Sequence, residues 1–288
     1  MAIRQIKGAL EEADFSTVTL SPCYLVISGI LYLVGMAFFG SFWRIVVADM
    51  GGKMDRAEAL RAYLISQLGK YVPGKALVPM MRCALVDRSR SSVSITALSS
   101  VYETLAMMAV GGLIAVLTLF AAGIHRASIL VPAAAIAVVF GIVVQPFVFQ
   151  SLVKLIGIPL RKTSDELVSP VRSRTLIRGI YIESAGWLFL GISLAAAAAA
   201  VGSPMWDLKG LMLMTGNSAL AITGGFVAVV VPAGLGVRTS IIIFTLSPII
   251  GPSQAAIIGL VMRAVQIVSE LFISALLYFY GRRGRSND

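Results

Sequence analysis

Residues 210–237 read GLMLMTGNSALAITGGFVAVVVPAGLGV, a run without one charged side chain. About 20 apolar residues in a helix cross a hydrocarbon layer of roughly 30 Å, so this run is long enough to span a bilayer. It is one of several. Residues 23–43, 127–153 and 239–262 are also free of charge, whereas 91–122 carries only Glu103 and 179–206 only Glu183. The chain is 58% hydrophobic and 13% charged, with a mean hydropathy of +0.89, well outside the range of a soluble domain. These observations predict an all-α polytopic membrane protein of about seven spans, with no stretch left for an independent soluble domain. We divide it into a polar N-terminal segment (1–22), a transmembrane helical domain (23–281) and a basic tail (282–288). The first 22 residues have no apolar core and do not form a secretory signal.

The formal charge of +10 reads as topology rather than as a nucleic-acid surface, because its residues fall in short links between apolar runs. Lys154, Arg161, Lys162, Arg172, Arg174 and Arg178 face only Asp165 and Glu166, and the tail adds Arg282, Arg283 and Arg285. Arg82, Arg88 and Arg90 mark a third basic connection, while the links at 123–126, 201–207 and 251–253 are poor in charge. The positive-inside rule then predicts a protein of the cell membrane with these basic segments and the C-terminus in the cytoplasm.

Two stretches interrupt the apolar pattern. One is SQLGKYVPGKALVPMMR at 66–82, and the other is TGGFVAVVVPAGLGVR at 223–238. Pro and Gly at membrane depth are tolerated where backbone lines a cavity, so both predict broken helices, the first as a re-entrant segment near residues 60–82. Each break precedes a basic residue and one lies in each half of the chain, the pattern of an inverted repeat around a transport site. Residues 69–76, GKYVPGKA, approach a nucleotide phosphate loop. Ala76 replaces the magnesium-binding hydroxyl and no strand precedes it, so nucleotide hydrolysis is excluded.

The break motifs identify candidate contacts to an anionic head group: Lys70, Tyr71, Pro73, Gly74, Lys75, Arg82 and Arg238. Arginine would grip a phosphate with two donors and lysine as a point charge. Charges in mid-span are costly and mark function or packing, which singles out Glu103, Glu183, Arg263 and Glu270. Arg263, Gln266 and Glu270 share one helix face and should point into the bundle, as coupling groups or as an internal ion pair. Glu183 is read as a loop partner for Arg178. Trp43, Trp187 and Trp206, near span ends, read as interfacial anchors. The single histidine, His125, and the two cysteines, Cys23 and Cys83, have no metal or redox spacing, and no GxSxG elbow appears. Neither an enzymatic reaction nor a cofactor is expected.

GKYVPGK (69–75) followed by Arg82, VYETL (101–105), VPAGLGVR (231–238) and VMRAVQIVSEL (261–271) together resemble the transmembrane region of lysylphosphatidylglycerol synthases and related flippase-like membrane proteins. The resemblance runs from about Tyr32 to Tyr280. It implies a bundle of about eight helices with re-entrant elements, acting on lipids or lipid-linked sugars in aminoacylated phospholipid, hopanoid or glycolipid pathways. The soluble aminoacyl-transfer domain of the synthases is not in this sequence, so lipid synthesis by the chain itself is not expected. Two positions depart from the family pattern. Thr239 stands where members carry glutamate, and a polar segment precedes Cys23 where members have a span, as though that span were truncated or lost.

Three functions are compatible with these residues. The first is translocation of a membrane phospholipid or lipid-linked glycan. The second is secondary transport of a small anion, and the third is a membrane subunit that presents lipid to a partner enzyme. An apolar lateral opening would favour the first, and a closed aqueous vestibule the second.

Overall fold

In hydrocarbon a backbone can hydrogen-bond only with itself, so uncharged runs become helices and polarity is confined to their ends and interior. The structure, a computed structural model, describes residues 20–72, 76–155, 168–227 and 236–285, with side chains described to residue 279. The described residues contain the helices α1 (Pro22–Asp49), α2 (Arg56–Ser66), a 3₁₀ turn (Gln67–Tyr71), α3 (Leu77–Leu85), α4 (Val93–Ala121), α5 (Ala127–Val143) and α6 (Pro146–Leu155). They continue as α7 (Ser173–Ala200), α8 (Leu208–Val227), α9 (Val237–Ile250) and α10 (Pro252–Arg285). The chain is an all-α polytopic membrane protein. Five helices, α1, α4, α7, α8 and α10, are long and apolar enough to cross a bilayer, and the pair α5 and α6 makes a sixth. With the shorter apolar α9 the count approaches the seven read from the sequence.

The uncharged run 127–153 is one span in the sequence but two helices in space, bent by 72°. Pro146 has no N–H and disfavours helical backbone before it, so the helix stops at Val143 and restarts at the proline.

Backbone contacts define the two ends of the bundle. At the basic end the Arg172 N–H donates to Asp49 Oδ2 (2.8 Å), Ser169 N–H to Met50 O (3.1 Å) and Lys53 N–H to Arg90 O (2.7 Å). At the other end Ser21 N–H donates to Ala200 O (3.0 Å), and Gln254 Nε2 reaches Val201 O (2.7 Å) and Ser203 Oγ (2.9 Å). The basic links and the charge-poor links thus segregate as the sequence requires.

Against this frame, residues 56–85 are re-entrant. Asp55 caps α2 by accepting from the Glu58 N–H (2.7 Å) and binds Arg90 beyond α3 (2.8 Å), so entrance and exit lie at the same basic end. The Glu58 N–H, helped by Arg90, holds the Asp55 carboxyl below its usual range. An α2 of 11 residues is about 16 Å long at 1.5 Å per residue, roughly half a bilayer. A second hairpin enters from the opposite end: α8 leaves the charge-poor end, and α9 returns to it at Gly251. Gly225 packs against the Arg238 side chain and Gly224 against Ile241, bringing the end of α8 beside the start of α9. The half-depth first hairpin and the facing ends of α8 and α9 therefore meet from opposite sides, around one cavity.

Close helix contact holds the frame. Along α1 and α7, Ser28 Oγ donates to Ser193 O and Ser193 Oγ to Ser28 O, both at 2.8 Å, and small residues let the backbones approach. Between α7 and α8, a Cβ on Gly191 would land on the Cα and side chain of Thr215. Replacing Gly191 by valine must separate these helices. We expect it to cost about 1–3 kcal/mol, read as a lower thermal unfolding midpoint of the detergent-purified protein; an unchanged midpoint would show that the seam tolerates extra volume.

Candidate functional site

Two ionic clusters form where the first hairpin meets the frame. Glu270 on α10 is almost fully buried, and a carboxylate there requires compensation. Its Oε1 accepts from Lys70 Nζ and Tyr32 OH, and its Oε2 accepts from Tyr71 OH at 2.8 Å. Lys70 Nζ also lies 3.3 Å from Tyr32 OH. One carboxylate thereby fastens the hairpin tip to α1 and α10.

The second cluster centres on Glu103 of α4. Arg82 Nη1 donates to its Oε2 and Tyr63 OH to its Oε1, each at 2.9 Å. Arg82 Nε reaches Ser66 Oγ at 3.3 Å. The guanidinium also lies 4.2 Å from the Tyr63 ring centre and 4.8 Å from that of Trp43. Such stacking stabilises a desolvated cation. Arg82 and Glu103 are both almost wholly buried. Arg82 thus belongs to the interior rather than to the basic connection, which is left to Arg88 and Arg90, and its charge is committed to Glu103.

Both clusters border a cavity of about 520 Å³ at membrane depth, lined by Lys70, Arg82, Glu103 and Arg238 and by apolar side chains including Phe39 and Met108. Arg238 arrives from the opposite hairpin, one residue past the start of α9, after Gly236 at φ +81°. Gly225 gives its side chain room. Among the described residues Arg238 forms no ion pair, and its buried Nε has no hydrogen-bond partner.

Of the residues selected from sequence, the structure gathers Lys70, Tyr71, Arg82, Glu103, Arg238 and Glu270 around this chamber. Pro73, Gly74 and Lys75, like Pro232 and Gly234 of the second break, lie outside the described residues. Arg263 and Gln266 do face inward, but Arg263 is not the partner of Glu270. It sits 5.4 Å from the centre of the Tyr71 ring and 3.4 Å from Gln266 Oε1, so Tyr71 joins the two ends of the polar stripe.

Three sequence readings need correction. Glu183 does not pair with Arg178: it is 0% exposed, whereas Arg178 faces outward. Five residues rotate a helix by about 140°, placing the two on different faces. Among the described residues neither Glu183 oxygen has a hydrogen-bond partner. Trp43 and Trp187 are not interfacial anchors, being fully buried, Trp43 with Nε1 donating to Ser99 Oγ at 3.0 Å. Trp187 packs edge-on to Phe39. Trp206 does sit at a helix end, partly exposed beside Tyr24. Tyr32 and Tyr63 were not anticipated; the available signal was a phenol inside an otherwise apolar stretch, which must find a partner when buried.

The two buried carboxyls differ in what their removal should do. Glu103→Ala strands Arg82 in the interior, and we expect a loss of about 3–5 kcal/mol, seen as a sharply lower unfolding midpoint in detergent. Glu103→Leu combined with Arg82→Met should regain most of it. Glu183→Gln, which breaks no bond to a described residue and keeps the side chain's shape, should cost no more than about 1 kcal/mol. Equal losses from Glu103→Ala and Glu183→Gln would refute the distinction.

The chain was compared with known proteins. No curated protein matches it. The family model described as the lysylphosphatidylglycerol synthase transmembrane region matches residues 2–273, nearly the whole chain and all of the site. On that match, with the hairpins and the chamber that its motifs build, the chain belongs to the lysylphosphatidylglycerol synthase transmembrane-region family.

Proposed function

We propose that this chain is a flippase-like translocase that takes the anionic head group of a membrane phospholipid or lipid-linked glycan into the chamber between its two hairpins. Family membership ties the chain to membrane lipid. The observation that carries the finer reading is the rim of the cavity. Val72, Met80 and Val101 line it and are also 51%, 62% and 42% exposed. The chamber therefore opens sideways past apolar side chains from the first hairpin and α4, the surface expected where acyl chains stay in lipid while a head group enters. A small soluble anion has no use for such an opening.

In this reading Arg238 receives the phosphate, while Lys70 and Arg82 are held by their carboxylates and fix the wall against which it binds. The hairpins approach from opposite ends, so the chamber can be reached from either leaflet in turn by modest movement of one hairpin against the frame. The role is transport, not synthesis. The basic links and the C-terminus face the cytoplasm of the cell membrane by the positive-inside rule.

The test uses proteoliposomes with a fluorescent anionic phospholipid and an impermeant quencher. We expect the parent chain to expose the inner-leaflet probe and Arg238→Ala to slow this at least tenfold, with insertion into the vesicles unchanged. Equal rates for parent and variant would remove Arg238 from the pathway. Rates no greater than those of empty vesicles would end the translocase reading.

A further inference from the structure

The bundle buries one further acid outside both ion pairs. Glu183 of α7 is 0% exposed, and neither of its oxygens has a hydrogen-bond partner among the described residues. Its neighbours one turn away on the same helix face locate it. Gly179 abuts the Phe42 ring of α1, and Trp187 lies against Gly111 of α4. Glu183 therefore sits between α1 and α4, within electrostatic reach of Tyr63 on α2 and of Tyr102 and Glu103 on α4. On one side, Glu103 lines the chamber and holds Arg82 of α3. On the other, the buried Tyr102 hydroxyl is also without a partner among the described residues, and its ring meets Phe149 of α6 edge-on at 4.9 Å. Phe149 lines a second cavity, of about 230 Å³, together with Gln150, Lys154 and Ser169 at the basic end. Asp49, at the basic end of α1, acts on Tyr102 as well. Of the other helices packed on α7, α8 carries only Lys209, at its charge-poor end, and Glu270 and Arg263 of α10 gather around Tyr71.

We propose that Glu183 is a proton-binding site that couples movement of the lipid head group to movement of a proton. The proposal rests on the lipid reading above and deepens it. A carboxylate in hydrocarbon with no cation or donor beside it is costly, and one proton on either oxygen removes its charge. The step consumes nothing else: carboxylate and proton give the acid, and the reverse frees the proton. Glu103 and Glu270 are unsuited to it, because protonating either would strand Arg82 or Lys70. An anionic head group in the chamber and a proton on Glu183 attract each other, so each favours the binding of the other. The proton can approach from the chamber past Glu103 and Tyr63 and leave toward the basic end past Tyr102 and the second cavity. Lipid and proton then travel together.

Two measurements test this. At neutral pH, infrared spectra of the detergent-purified full chain should show the carbonyl stretch of a protonated carboxyl, since exposed acids are ionised there and Glu103 and Glu270 are ion-paired. Glu183→Gln should remove that band, and Glu183→Asp should keep it. In proteoliposomes carrying the fluorescent anionic phospholipid, an imposed pH gradient should change the parent's translocation rate at least about fivefold. Glu183→Gln should not respond to the gradient, whereas Glu183→Asp should. A band absent from the parent, or persisting in Glu183→Gln, overturns the proton site. A band lost as expected beside parental translocation that ignores the gradient overturns the coupling and leaves the lipid reading standing. No translocation by the parent under any gradient removes the lipid reading and the coupling together, while the infrared band still decides the proton site.

Discussion

Neutralising charge inside hydrocarbon is the constraint on which this molecule is built. A buried carboxylate or guanidinium left alone is costly, and the structure meets that cost locally, Arg82 with Glu103 and Lys70 with Glu270. Each pair joins elements that apolar packing alone would leave free to slide. Glu103 fixes the returning arm of the first hairpin to α4, with Tyr63 of the entering arm on its other oxygen. Glu270 fixes the tip to α10 and α1. The hairpin is thus positioned by charge at depth and by the Asp55 and Arg90 contact at its mouth.

That arrangement separates positioning from binding. Cations that hold the hairpin are consumed by their carboxylates, and the one contributed by the opposing hairpin is not. The cavity consequently offers one cation without an ion-pair partner among the described residues and is apolar over most of its wall, the combination that suits an amphipathic ligand. Glycines at the contacts serve the same purpose. Gly225 admits the long Arg238 side chain, and Gly236 turns the backbone into α9 with a positive φ that other residues rarely adopt.

Much of this was legible in the sequence, for reasons that differ by feature. Uncharged runs fixed the spans because hydrocarbon admits little else, and the Pro and Gly clusters fixed the hairpins because a spanning helix cannot use them there. Charge alone marked Glu103, Glu270 and Arg238. Partners were harder to see. The link between Lys70 and Glu270 joins residues 200 apart, which no local pattern encodes. The burial of Trp43 follows from Arg82 folding back over it, so its position near a span end misled. Glu183 lies near Arg178 in sequence but not in space, because five residues turn a helix through about 140°. The bend before Pro146 is hidden because residues 127–153 carry no charge on either side of it.

The separation of the two ion pairs along the chain also orders the assembly of the protein. Arg82 and Glu103 are 21 residues apart, so they meet as soon as α4 has been made and can enter the bilayer together as a neutral unit. Lys70 has to wait. Its carboxylate lies on α10, so until that helix is made the hairpin tip carries an ammonium without its partner, which hydrocarbon disfavours. The first hairpin can therefore settle to full depth only when α10 arrives, and the chamber is complete only once that helix has been made.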